Sequence, residues 1–130
     1  MNHTAAAMAR PRILVVEDEF LIRLTLAEAL ADDGFDVTEA GDAAEAEAIL
    51  REQAPFALML TDIHLPGGVD GLMLVERVRA VAPALPVIYM TGRPDALRRT
   101  VSGPLDVFIV KPYLPSDVCA TARRMIGASV

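Results

Sequence analysis

The sequence predicts an α/β fold, a doubly wound open parallel sheet of five strands with helices on both faces, and three observations carry that expectation. Short β-branched apolar runs recur along the chain and alternate with longer segments at helical spacing. Four of the five runs are apolar throughout, as strands covered on both faces of a parallel sheet are. Right-handed crossovers then wind a (βα)5 order into an open sheet.

The elements follow in order. "ILVV" (13–16) is the first strand, and Ile22, Leu26, Ala29 and Leu30 line one face of a first helix that stops at Asp32-Asp33-Gly34. "FDVTEA" (35–40) alternates in polarity, which places it at a sheet edge. Asp42 has the position of an N-cap with Glu45 three residues on, opening an alanine-rich helix over 43–53. "FALMLT" (56–61) is the third strand, and Leu74, Val75, Val78, Val81 and Ala82 set a third helix against the sheet until Pro83 stops it. "PVIYM" (86–90) is the fourth strand. Residues 94–101 follow as a short fourth helix with only Leu97 and Val101 for a core face, before "SGP" ends it. "VFIV" (107–110) is the fifth strand. The last helix starts near Pro115, where a missing N–H costs nothing, with Leu114, Val118, Ala122 and Met125 on its buried side.

At 130 residues the chain has the size of one domain, read as a loose tail over 1–10 and a folded unit over 11–130. A composition 53% apolar with nine prolines and eight glycines is globular rather than disordered. The net charge of −6 argues against direct nucleic-acid binding, which needs many phosphates neutralised by Lys and Arg. One cysteine, Cys119, forms no internal disulfide, and with two histidines it is too little for a Cys/His zinc site. A cytoplasmic protein is expected, since neither a signal peptide nor a membrane span is read from the sequence.

In an open α/β sheet, ligands bind outside the carboxyl ends of the strands. After the first strand come Glu17, Asp18 and Glu19; after the third, Asp62; after the fourth, Thr91 and Gly92; after the fifth, Lys111 and Pro112. Singly, each has an ordinary explanation: the first three as acids complementing a helix dipole, Asp62 as a turn-former, Thr91 as an N-cap, Lys111 as a solvated lysine. Brought to one edge, they acquire another meaning. Clustered carboxylates repel unless a cation binds or protons are taken up, and an all-oxygen site with few protein ligands suits Mg²⁺. An aspartate beside such an ion, a lysine and a hydroxyl has what phosphoryl transfer to a carboxylate needs. "GGVDG" matches neither GxxxxGK[ST] nor GxGxxG, so a nucleotide donor is not expected.

The motifs "ILVVEDE", "LMLTDIHLPGGVDG", "VIYMTG" and "VFIVKPY", in this order and spacing, resemble those of the response-regulator receiver domain of two-component signalling, over about residues 12–127. The resemblance implies a bacterial, flavodoxin-like fold with strand order 2-1-3-4-5, and a phosphorelay switch rather than an enzyme acting on a separate substrate. It implies that Asp62 is the phosphoacceptor and that the domain assists its own phosphorylation and dephosphorylation. Asp18 and Asp62 would then ligate Mg²⁺ or Mn²⁺ directly, the His64 backbone carbonyl would supply a third ligand, and Glu17 would act through water. Thr91 and Lys111 match the hydroxyl and lysine that meet the phosphoryl group, Phe108 the rotating aromatic of the switch, Tyr113 a frequent aromatic of the family, and Pro112 the cis peptide. Phe108 is equally what any apolar strand would carry. The implied partners are a histidine kinase or histidine phosphotransfer protein and a downstream protein at the face of the fourth helix, fifth strand and fifth helix. The domain would be a monomer or weak dimer. "MTG" with "KPY" further resembles stand-alone receivers or those ending hybrid sensor kinases.

The acceptor loop departs from the family pattern by one additional residue, Gly67 or Gly68, so that Asp62 and Asp70 stand further apart. Two glycines accommodate an altered turn. His64 and Arg93 occupy positions that tune phosphoryl lifetime in the family. Arg93, Arg98, Arg99, Arg123 and Arg124 gather on the fourth and fifth helices, as a solvated basic face or a docking surface, and Cys119 is assigned to packing. Two other functions compete with the switch. A haloacid-dehalogenase-type phosphatase also uses an aspartyl nucleophile, but its signature needs a second aspartate where His64 stands. A receiver-like docking module that is never phosphorylated would not need the full set of acids, Thr91 and Lys111.

Overall fold

The computed structural model describes residues 9–93 and 103–128. β1 (Arg12–Val16), α1 (Phe20–Asp32), β2 (Asp36–Ala40), α2 (Ala43–Gln53), β3 (Leu58–Asp62), α3 (Gly71–Arg79), β4 (Val87–Thr91), β5 (Asp106–Val110) and α4 (Pro115–Ala128) follow one another along the chain. All neighbouring strands are parallel, in the order β2-β1-β3-β4-β5. The expected fold class and strand order are therefore found. The predicted helix over 94–101, with Arg98 and Arg99, lies outside the described residues, as does most of the predicted tail.

Alternation along the strands divides the core into two layers. Ile13, Val15, Leu58, Leu60, Ile88 and Met90 pack under α1 and α4, against Leu26, Leu30, Val118 and Ala122. Leu14, Val16, Met59, Val87 and Tyr89 face the other way, against α2 and α3 through Ala43, Ala46, Leu74, Val75 and Val78. β1, β3 and β4 are covered on both sides, which is why they read as unbroken apolar runs.

Local chemistry sets the helix ends. Asp42 Oδ1 accepts from Glu45 N at 2.8 Å while Glu45 Oε1 accepts from Gly41 N at 2.6 Å, so both partners of the predicted cap are used. Asp70 caps α3 through Met73 N at 2.9 Å. Gly34, at φ 101°, closes α1 in the left-handed region, and Phe35 N returns to Leu30 O at 3.1 Å.

Three expectations need correction. Val81 is 85% exposed, because α3 ends at Arg79 and the chain leaves the helix before Val81 can join its buried face. Leu114 is 64% exposed: its carbonyl accepts from Asp117 N at 2.9 Å at the start of α4, and its side chain lies outside the helix's packed stripe. β5, read as covered on both faces, is the second edge strand, and its residues are half-buried or exposed. An edge lacks a neighbour on one side, whatever its own hydrophobicity.

Candidate functional site

The strand ends converge because the ladder continues one step past each. Glu17 N donates to Ala40 O at 3.0 Å, Ile63 N to Met90 O at 2.9 Å, and Lys111 N to Thr91 O at 2.8 Å. Glu17, Asp62, Thr91 and Lys111 therefore sit on rigid backbone rather than on free loops.

Asp62 is 5% exposed. Its Oδ1 accepts from His64 N at 2.9 Å and its Oδ2 from Lys111 Nζ at 2.7 Å. Glu17 is fully buried, with Oε2 accepting from Glu19 N at 3.0 Å. Its other oxygen, Oε1, has no hydrogen-bond donor and lies 3.6 Å from Lys111 Nζ, a charge contact too long for a hydrogen bond. Asp18 is exposed, and one carboxylate oxygen from each of Glu17, Asp18 and Asp62 can be chosen so that all lie within 4.8 Å of one another. Glu19 is not part of that group; it occupies the N-cap of α1 without a side-chain capping bond.

Three carboxylates against one ammonium leave the cluster electronegative, and the titration of its members follows. Burial is the main cause that raises Glu17 to about 7; its hydrogen bond from Glu19 opposes this, and the charge of Asp62 adds to it. Burial disfavours the Lys111 ammonium, yet the hydrogen bond and charge of Asp62, with the charge of Glu17, outweigh it and hold its pKa above the ordinary value. A buried glutamate with one orphaned carboxylate oxygen, grouped with two further acids, is the donor set of a hard divalent cation.

Thr91 is fully buried, and its hydroxyl is engaged with the backbone of Arg93, accepting from N at 2.9 Å and donating to O at 3.2 Å. Phe108, half-buried on β5, stacks on Tyr89 of β4 with ring centroids 4.6 Å apart and planes 10° apart. The Lys111–Pro112 bond is cis, and so is Ala54–Pro55, for which the sequence carried no signal beyond the proline itself. Gly67 and Gly68, in the loop after β3, both adopt positive φ, 90° and 86°, a region that glycine enters without steric cost. Cys119 is buried, and burial pushes its thiol pKa up, as for a packing residue.

Two contributors were not singled out from the sequence. Gly71 N donates to Ile63 O at 2.8 Å, and a Cβ at Gly71 would lie 2.2 Å from Asp62 O. The Asp-Gly pair after the acceptor loop was the available signal. Arg23 Nη1 donates to Glu17 O at 2.8 Å, and one arginine on a helix face gives no sign of that in sequence.

Comparison with known proteins agrees with this fold. The family model of the response regulator receiver domain matches residues 13–123. The chain is 40% identical over 122 residues to the transcriptional regulatory protein AruR of Pseudomonas aeruginosa, covering 89% of this chain and 49% of that protein. It is 34% identical over 125 residues to the aerobic respiration control protein ArcA of Escherichia coli K12, covering 95% and 51%. The chain thus spans about half the length of the curated relatives it matches. A response regulator receiver protein from Sinorhizobium medicae shares the fold at a TM-score of 0.85 and 24% identity, over 95% of this chain and 99% of that one. Among the described residues, no helix is long and apolar enough to cross a membrane. From residue 13 to 123, in sequence and in fold alike, this chain belongs to the response regulator receiver domain family.

Proposed function

We propose that the domain is a phosphorylation-dependent signalling switch in which Asp62 accepts a phosphoryl group from a histidine kinase or histidine phosphotransfer protein. The observation that carries this reading is the Asp62 carboxylate, almost buried at a strand end, with Lys111 at 2.7 Å and two more acids beside it. A carboxylate oxygen of Asp62 attacks phosphorus, the new P–O bond forming as the P–N bond to the donor imidazole breaks and its electron pair returns to nitrogen. Asp18 and Asp62, with the His64 carbonyl and, through water, Glu17, would hold Mg²⁺ or Mn²⁺. When bound, that ion neutralises phosphoryl oxygens. Lys111 passes from Asp62 to the phosphoryl group. Thr91 gives up its Arg93 contacts to donate to a phosphoryl oxygen, and Phe108 follows, shifting the population toward a partner-binding state at the face of β5 and α4. The phosphatase alternative is not favoured, because His64 stands where a second aspartate is required.

Incubation with Mg²⁺ and acetyl phosphate is expected to give a phosphoryl adduct by intact mass that Asp62→Asn abolishes. Equal labelling of Asp62→Asn and parent refutes the assignment. Sustained hydrolysis of phosphomonoesters would favour the phosphatase instead.

An apolar rim supports a protein donor over a small one. Phe20, Leu21 and Leu114 are 59, 73 and 64% exposed, beside a groove that runs from Leu21 and Ile22 to Lys111 and Pro112. Leu21→Glu is expected to slow transfer from a phosphorylated histidine phosphotransfer protein about tenfold or more, while labelling by acetyl phosphate is unchanged. Equal slowing with both donors would place the defect in the acceptor site rather than in docking.

A further inference from the structure

Arg23 reaches back from α1 to the loop that carries the acids. Its Nη1 donates to the main-chain carbonyl of Glu17 at 2.8 Å, its Nε donates to Glu39 Oε1 on β2 at 3.2 Å, and its guanidinium lies 5.5 Å from the Phe20 ring centroid. The side chain is only 18% exposed. Space for it is provided at Gly41, where a Cβ would stand 3.4 Å from Nη1. The acceptor is the peptide that joins Glu17 to Asp18. Fixing that carbonyl fixes the rotation of the peptide plane, and so the direction in which the Asp18 side chain leaves the backbone.

Charge and geometry act in opposite senses here. A guanidinium beside an acidic cluster repels a cation that the cluster would bind. Glu39, at 3.2 Å, offsets that charge, so what Arg23 adds to the cluster is position.

We propose that Arg23 is a positioning residue for the Glu17, Asp18 and Asp62 cluster: by holding the Glu17–Asp18 peptide it sets the cluster's affinity for a divalent cation, with Glu39 cancelling its repulsion. This rests on the reading of the cluster as a cation site.

The test is calorimetric titration of Mn²⁺ into the metal-free protein and its variants, with urea unfolding of each. Arg23→Ala is expected to bind about tenfold or more weakly at unchanged stoichiometry, the usual effect of losing an outer support of a metal ligand. That loss should persist as salt is raised, and Arg23→Lys should recover part of the affinity. Glu39→Ala leaves the guanidinium charge uncompensated, and its smaller loss of about threefold should shrink with added salt. Arg12→Ala is the control for stability alone. At the opposite end of β1, Arg12 donates to the Gln53 and Pro55 carbonyls and lies 4.3 Å from the Phe56 ring centroid. Its loss should lower the unfolding midpoint and leave Mn²⁺ affinity unchanged. The proposal is overturned if Arg23→Ala binds as tightly as the parent or more tightly, or if Arg12→Ala loses as much affinity. Should Arg23→Ala not fold, Arg23→Lys decides alone, and parent-level affinity there overturns the proposal. Absence of saturable binding in the parent overturns instead the cation-site reading beneath it.

Discussion

Replacing Gly71 by alanine is expected to destabilise the domain by about 2–4 kcal/mol and to slow aspartyl phosphorylation from acetyl phosphate at least about tenfold. Helix propensity alone predicts the opposite sign, since alanine is better than glycine within a helix by about 1 kcal/mol. Packing decides the matter. A Cβ at position 71 would lie 2.2 Å from the Asp62 carbonyl oxygen, 2.9 Å from Ile63 Cα and 3.0 Å from Asp62 C. All three are backbone atoms of the segment that carries Asp62, so no side chain can swing aside. Either α3 moves outward, giving up the Gly71 N to Ile63 O bond of 2.8 Å and the packing of Leu74 and Val75, or Asp62 moves away from Lys111. The first route appears in the unfolding free energy and the second in the rate. Gly127→Ala is the matched control on α4, where a Cβ meets nothing within 4 Å; it should be neutral or stabilising by up to about 1 kcal/mol. Urea unfolding and intact-mass labelling of both variants check the pair. A Gly71→Ala protein as stable and as readily labelled as the parent would show that the loop yields without cost.

The same contact illustrates where sequence reasoning stops. Apolar runs at β1, β3 and β4 announce strands buried on both faces, and the turn residues after them announce loops. Topology then delivers Glu17, Asp62, Thr91 and Lys111 to one edge without knowledge of any coordinate. The cap at Asp42 is legible for a similar reason, because a side chain three residues from the N–H that donates to it is a local matter. What depends on neighbours distant in sequence is not legible. β5 has the same apolar text as β4, yet among the described residues it pairs with β4 alone and so forms an edge, and Val81 has the right spacing on a helix that ends too early. Gly71 is an ordinary loop glycine until its distance to Asp62 is known, and Arg23 an ordinary helix arginine until the Glu17 carbonyl is found against it. Glu17 and Asp18 look equivalent in the text "VVEDE", but one is fully buried and the other exposed. That asymmetry has a thermodynamic consequence.

Because burial lifts Glu17 from 4.5 to about 7, the folded domain holds a proton that the unfolded chain has released across that interval. The folded state binds more protons there, so the stability contributed by this group falls as pH rises from about 4.5 to about 7 and stays low above. At about 1.36 kcal/mol per unit, the metal-free domain at pH 8 carries a cost on the order of 3 kcal/mol for keeping a buried carboxylate charged. Glu17→Gln keeps the shape and an oxygen able to accept from Glu19 N while removing the charge. In the absence of divalent ions at pH 8, that variant is expected to be more stable than the parent by about 1–3 kcal/mol, with the difference vanishing toward pH 4.5. Mg²⁺ should reverse the order, since an ion bound to the folded state alone stabilises the parent in proportion to its affinity and the variant has lost one acid of the cluster. Urea midpoints at pH 5 and 8, each with EDTA and with saturating Mg²⁺, give the four comparisons. A parent at least as stable as Glu17→Gln at pH 8 in EDTA would mean that Lys111, 3.6 Å from Glu17 Oε1, already compensates the buried charge. The crossing, if found, ties the one fully buried acid of the cluster to the cation: Glu17 weakens the metal-free fold, and that cost is offset when the ion arrives.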